Sequence, residues 1–328
     1  MIASEPDILF RSDEVIKIEI RSDFSYIIND RTENPEYQEA ELRYYTSGRQ
    51  VVTLKIRIIS RGNFRRNPDI CSFPPLFINF KKSEVKNTLF EKQDKLKLVT
   101  TCQSEEDLLE EYIIYKMYNR VTDLSLRVRL VKVLYFDTGS NKKLFEKYAF
   151  FLEDPEHAAV RNNARVTEKI LTPFDLDREN FKRMSVFQYL IGNIDWSIMP
   201  GKNIIIMQPE DTTRAPYAVP YDFDFSAFVN AKYSIPRGLT EDVLISRRRF
   251  KGICYTTTEF IGVFDLYSKL RPYFKSIIEK QRAIKAEDKY LLLQYLDDFY
   301  TVIDSDELVR KVFLYDCLTL NPTTTGGN

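Results

Sequence analysis

The sequence is poor in the residues that much of enzyme chemistry depends on. It holds one histidine, His157, and one tryptophan, Trp196. A Ser-His-Asp hydrolase would have to use that single imidazole, and no GxSxG nucleophile elbow accompanies it. Four cysteines stand at 71, 102, 254 and 317, none in a CxxC pair, which argues against the usual zinc sites. Their even number permits two disulfides and hence an oxidising compartment; four separate buried thiols are the other reading, and both stay open. Net charge is absent, since 48 Lys and Arg balance 48 Asp and Glu, and this is not the balance of a protein that binds nucleic acid by neutralising phosphates. No apolar run approaches the ~18 residues of a membrane span. The start, MIASEPDILF, has neither the basic nor the apolar region of a signal peptide. Glycine is scarce, ten residues in all, and no GxGxxG phosphate loop is present.

What is there is a globular composition, 44% hydrophobic and 13% aromatic. A chain of 328 residues allows one large domain or two packed lobes. Up to residue 100 the pattern is that of strands. VIKIEI (15–20) and VVTLKIRII (51–59) alternate apolar and polar residues with many β-branched side chains. PPLFINF (74–80) and KLKLVTT (95–101) continue the pattern. The period then changes. In SEEDLLEEYIIYKMYNRV (104–121), Leu108, Tyr112, Ile113 and Tyr115 share a helical face, and Ser104 with Asp107 is an N-terminal capping signal. Strand patterns return at 126–137 and 147–154. From 174 the chain reads mainly as helix, with Phe181, Met184, Phe187, Leu190 and Ile191 at helical spacing. Two short strand-like pieces follow at 203–207 and 217–223, then three amphipathic helices across 258–317, one of them started or kinked by Pro272. The expectation is an α+β protein. It has a β-rich lobe over 1–150 with one helix at 104–121, a hinge at 151–154, a helical lobe over 155–320 and a flexible tail at 321–328. A cleft between lobes is a usual ligand site.

Three acids and an amide stand out. Asp195 follows the helix that ends near 192 and sits beside Gly192, Asn193 and Trp196. Asn203 opens an apolar strand eight residues later, and Asp222 and Asp224 end its partner. A hairpin here would bring Asn203 near Asp222. Asn and Asp oxygens are hard ligands suited to Mg2+, which keeps waters and binds nucleotide phosphates. Asp195, in the loop just before, would orient or deprotonate a hydroxyl, the logic of phosphoryl transfer. Single Asn and Asp residues are ordinary turn formers; buried acids without a partner are costly, which weighs against that explanation for the whole set. A glycosidase reading of Glu110/Glu111 and Asp222/Asp224 lacks nearby sugar-stacking aromatics. The basic runs Arg61/Arg65/Arg66 and Arg247/Arg248/Arg249 read as solvated surface.

The order of these motifs resembles the CotH family of atypical, spore-coat-type protein kinases, and more closely a group of its uncharacterised bacterial relatives. The resemblance covers roughly residues 50–230. It rests on RGNFRR (61–66) with FPPLFINF (73–80), KLKLVTTC (95–102), LLEEYIIYKMYN (108–119), FLED (151–154), GNIDW (192–196) with Asn203, and PYDFDFSA (220–227). It implies a two-lobed protein-kinase-like fold with a β-rich N-lobe and a mainly α-helical C-lobe. It also implies ATP and Mg2+ or Mn2+ as cofactors and a protein as substrate. Asp195 would match the catalytic-loop Asp, Asn203 the metal-binding Asn and Asp222 the metal Asp, with Asp224 a second ligand. Lys97 is the candidate for the phosphate-pairing lysine, with Lys95 its rival. Glu111 is the candidate for its helix partner, with Glu110 close behind. Arg61 would touch phosphates as a planar multi-donor cation, and ATP would lie against 151–154, at Glu153. Unlike ordinary protein kinases, the chain has no His or Arg before Asp195, and Asn203 comes eight residues on rather than five. Phe77 stands where the family often has Lys or Arg. AMP transfer and an inactive secreted or surface binding protein are the alternatives. The expected location is secreted or cell-envelope, with no nucleic-acid partner and no transmembrane segment.

Overall fold

VVTLKIRII alternates because it forms a strand with one face inward. In β3 (Val51–Ser60), Leu54, Ile56 and Ile58 are buried while Lys55 and Arg57 are exposed. The computed structural model describes residues 7–319 except 31, 33, 47, 235–247 and 316; the expected tail at 321–328 and Arg247 lie outside the described residues. The chain divides into two compact units, Met1–Lys116 with Ser125–Asn163, and Met117–Leu124 with Ala164–Asn328.

The first unit is built on seven strands: β1 (Ile16–Ser22), β2 (Gln38–Tyr45), β3, β4 (Leu76–Phe80), β5 (Lys95–Thr100), β6 (Val128–Asp137) and β7 (Lys142–Leu152). Their order is β1-β2-β3-β4-β5-β7-β6, closed into a barrel. Neighbours pair antiparallel except β1 and β6, which run parallel from Ile16↔Val131 to Ser22↔Asp137. Ile20, Leu42, Ile58, Ile78, Leu98 and Phe151 are fully buried in the shared core, and each such side chain contributes ~1.5–3 kcal/mol by leaving water. The short helix α1 (Phe24–Asn29), capped by Asp23, puts Phe24 against Phe73 and Tyr135 at ring-centroid distances of 5.8 and 5.6 Å. The helix α2 (Glu105–Val121) starts where Ser104 Oγ accepts the N–H groups of Glu106 and Asp107. Cys71 and Cys102, both buried, are disulfide-bonded.

This architecture corrects the expected kinase-type fold. The β-rich part is a closed mixed barrel of seven strands, and the parallel β1–β6 pair that closes it has no place in a two-lobed kinase fold with an open N-lobe sheet. The strand patterns are real, but alternation reports which face a residue takes and says nothing of which strand lies beside it. β2 escaped the sequence reading as well. Its inward Ala40, Leu42 and Tyr44 alternate with Glu39, Glu41 and Arg43, but none of the inward residues is β-branched, the strand signal that β3 carries.

Residues 151–154, the expected hinge, are the end of β7 and the cap of the next helix. Asp154 caps α3 (Pro155–Arg161), accepting the N–H of Glu156 at 2.8 Å. The unit's boundary falls after Asn163.

The second unit contains a three-stranded antiparallel sheet in the order β10-β9-β8, made of β8 (Ala164–Thr167), β9 (Ile204–Pro209) and β10 (Tyr217–Pro220). Its central helix, α4 (Arg178–Leu190), is capped by Asp177 and buried on nearly all sides, including Phe181, Met184 and Phe187. The stretch read as three amphipathic helices holds two long ones, α5 (Thr257–Lys280) and α6 (Ala286–Ile303), then the short turns Asp306–Val309 and Arg310–Leu314. A Thr256–Glu259 capping box starts α5, and Pro272 lies inside it. Cys254 and Cys317 form the second disulfide. No helix among the described residues is long and apolar enough to cross a membrane.

Candidate functional site

The Asp195 loop begins where α4 stops. Gly192 turns the chain at φ +63°, and a Cβ there would lie 2.2 Å from Tyr295 Oη and 2.9 Å from the Ala227 Cβ. Glycine is required for both reasons. Asn193 then ties the loop down. Its N–H donates to Gln188 O at 2.9 Å, its Oδ1 accepts Asp195 N–H at 2.9 Å, and its carbonyl accepts Trp196 Nε1–H at 3.0 Å. Trp196 is itself buried, edge-on to Phe181. The Asp195 carboxylate emerges from this frame half-buried and fully engaged. Lys202 Nζ donates to Oδ1, and Asn203 Nδ2 donates to Oδ2 at 3.1 Å and to the Asp195 carbonyl at 2.8 Å.

The β9–β10 hairpin brings in the remaining members. Ile204 pairs with Pro220, and the bond from Tyr221 N–H to Asn203 O at 3.1 Å extends the ladder by one step. Asn203 and Asp222 therefore leave the same end of the hairpin, and both have left-handed backbone, φ 57° and 62°. Such a conformation costs an L-residue roughly 1–2 kcal/mol, least for Asn and Asp. Asp222 is exposed. Asp224 faces the other way: it is 4% exposed and its Oδ2 accepts Tyr233 Oη–H at 3.1 Å. Asn203 thus bonds Asp195 on one side and lies one ladder step from Asp222 on the other, while Asp224 is buried.

The chain matches no protein-family model and no curated protein. The site stands on its own geometry. Among the described residues, no three His, Cys, Asp or Glu side chains are grouped to cage a metal. Mg2+ does not require such a cage: it is commonly held by one or two carboxylates with waters and substrate phosphates. Asp222, exposed, and Asn203, whose side-chain N–H groups turn to Asp195, are a donor set of that kind.

The other expected residues belong to the first unit. Lys97 is on β5 opposite Phe77, and Lys95 Nζ sits 4.1 Å from the centre of the Phe77 ring. The Arg61 guanidinium lies 5.7 Å from the same ring. Glu111 and Glu110 are both buried on α2. Glu153 is different in kind. Its side chain is 1% exposed; Oε1 accepts Arg161 Nε–H at 3.1 Å, and Oε2 accepts Arg161 Nη2–H at 2.9 Å and Arg127 N–H at 2.8 Å. Both oxygens are engaged within the interior, and Glu153 forms a buried ion pair with Arg161 that ties α3 to the end of β7.

Three basic residues read as surface have interior roles. Arg65 Nη2 donates to the Thr100 carbonyl and Arg66 is buried. Arg248 donates to Leu190 O at 3.2 Å and to Tyr295 O, and stacks 3.9 Å from the Tyr295 ring centre. The sequence reading missed Lys202 and Lys251. Lys202 directly precedes Asn203 in the chain. Lys251, whose Nζ donates to Ile194 O at 3.0 Å and to Trp196 O, is 55 or more residues away, and no local signal points to it.

Proposed function

We propose that the Asp195 loop and the Asn203–Asp222 hairpin end form the centre of an ATP- and Mg2+-dependent phosphotransferase acting on a protein hydroxyl, akin to the CotH kinases. The carrying observation is the Asn203 amide, which orients Asp195 through two hydrogen bonds and stands one ladder step from Asp222. That arrangement sets a carboxylate able to direct a hydroxyl beside a pair of oxygen ligands for a phosphate-bound metal. Bound Mg2+ would neutralise charge on the transferring phosphoryl group. Lys202, on the Asp195 carboxylate, adds a cation at the same place.

Two bonded cysteine pairs support an oxidising compartment, secreted or cell-envelope. The test is intact-mass analysis of candidate acceptor proteins after incubation with ATP and Mg2+ or Mn2+. The expected result is a phosphate adduct made by the wild type and lost in Asp195→Ala and Asp222→Ala. An AMP adduct would replace kinase by AMP transferase activity. No adduct, with no nucleotide-dependent stabilisation, would contradict transfer and favour a binding protein.

A further inference from the structure

Residues 248–254 form a strap fastened at three points to the second unit. At one end Arg248 holds Leu190 O, the C-terminal end of α4, and Tyr295 O. At the other, Cys254 is bonded to Cys317, and two main-chain bonds, Cys254 N–H to Leu318 O at 3.0 Å and Leu318 N–H to Gly252 O at 2.9 Å, run alongside. Between them is Lys251. Its half-buried ammonium donates to the carbonyls of Ile194 and Trp196, the residues on either side of Asp195, and lies 4.8 Å from the Trp196 ring centre. Among the described residues no main-chain N–H donates to either carbonyl. Lys251 thus takes up the carbonyls flanking Asp195 and adds to the bonds that Asn193 and Asn203 make to the Asp195 main chain. Burial keeps its pKa below the ordinary lysine value despite the charge of Asp195.

The two disulfides differ in access. Cys71 and Cys102 are buried, whereas Cys254 and Cys317 are both partly exposed. We propose that Lys251 is a positioning residue for Asp195 and that the Cys254–Cys317 bond makes its hold reversible by thiol reduction, so that the strap is a redox-sensitive clamp on the Asp195 loop. A dithiol supplies two electrons and two protons: the Cys254–Cys317 S–S bond breaks, two thiols form, and the dithiol becomes a disulfide. The freed strap then no longer presents Lys251 to both carbonyls. As regulation of catalysis this rests on the phosphotransferase reading; as a structural clamp it does not.

The only tryptophan of the chain lies at the clamp, so Trp196 emission reports the loop without any assay of activity. In the full chain, Lys251→Met and the double variant Cys254→Ser/Cys317→Ser are expected to shift Trp196 emission to the red and raise its quenching by iodide. Lys251→Arg, which can donate to both carbonyls, restores the wild-type spectrum. Mild dithiol treatment of the wild type gives the same shift, with alkylation mapped to Cys254 and Cys317 and not to Cys71 and Cys102. Where transfer is observed, Lys251→Met lowers kcat on the order of tenfold to a hundredfold, the effect of a misplaced catalytic group, and leaves the KM for ATP unchanged. An unchanged Trp196 signal in Lys251→Met overturns the positioning role. A reduced protein that keeps the wild-type spectrum, or that no longer melts cooperatively, overturns the redox clamp. Absence of transfer in the wild type with the spectral shifts intact refutes only the phosphotransferase reading.

Discussion

Removing the Glu153 carboxylate should destabilise the first unit without touching a nucleotide site. The Glu153 and Arg161 side chains are 1% and 2% exposed, and Arg161 also donates to Ser125 O at 2.9 Å. Glu153→Ala takes this carboxylate away from the buried Arg161 guanidinium and from the Arg127 N–H. Breaking a buried pair in this way costs ~3–5 kcal/mol. In a unit of this size each kcal/mol lowers Tm by ~2–4 °C, so the expected loss is roughly 6–20 °C. Arg161→Met combined with Glu153→Leu removes both charges and should recover part of it, because apolar replacements of a whole buried pair are often near neutral. The assay is thermal melting of the wild type, Glu153→Ala, Glu153→Leu, Arg161→Met and the double variant, with binding of ATP measured beside it. A Glu153→Ala protein that melts within about 2 °C of wild type, on the same conversion, would refute the structural role. So would a double variant as unstable as the sum of its singles, and so would a loss of ATP affinity at unchanged Tm.

Gly192→Ala forces a side chain into a left-handed conformation, at ~1–2 kcal/mol, and into Tyr295 Oη, at a further ~1–3 kcal/mol. It should lower Tm, and Tyr295→Phe, which removes a buried hydroxyl with no hydrogen-bond partner among the described residues, should partly rescue it. The His157–Asp7 pair gives the first unit a pH window. The Asp7 hydrogen bond raises the His157 pKa against burial; burial opposes the Asp7 carboxylate too, but the bonds from His157 and Gln93 bring its pKa down on balance. The imidazole's contribution is full below its unfolded pKa of ~6.5 and is lost as pH rises through the raised folded value; the carboxylate's is present above ~3.9 and is lost as pH falls through the depressed one. Tm should therefore be highest between those limits, and His157→Gln should flatten the alkaline limb by less than ~1 kcal/mol, both partners being partly solvated. Alkylation of the denatured, unreduced protein should add no label, and after reduction it should add four, one for each cysteine.

Strand existence was legible where alternation carries many β-branched residues, as in VVTLKIRII; β2 alternates as regularly, but none of its inward Ala40, Leu42 and Tyr44 is β-branched. Barrel closure was not legible at all. It depends on a parallel pairing of Ile16 with Val131, and no local pattern encodes a neighbour so distant in the chain. Asp195, Asn203 and Asp222 could be grouped because the hairpin between them is short. Glu153 was misread because FLED looks like a linker, while its partner Arg161 is one helix further on. Lys251 and Arg248 act through carbonyl groups, which any residue can supply, so sequence carries no mark of the positions they hold.

The central claim is that Asn203 and Asp222 hold a phosphate-bound metal beside Asp195. Crystals grown with Mn2+ and a non-hydrolysable ATP analogue test it through the anomalous signal of the metal. The account predicts one Mn2+ at oxygen-ligand distance, roughly 2.1–2.3 Å, from Asp222 and the Asn203 amide oxygen, with the terminal phosphate between it and Asp195. Metal and nucleotide bound away from these residues, or absent at saturating concentration, would contradict it.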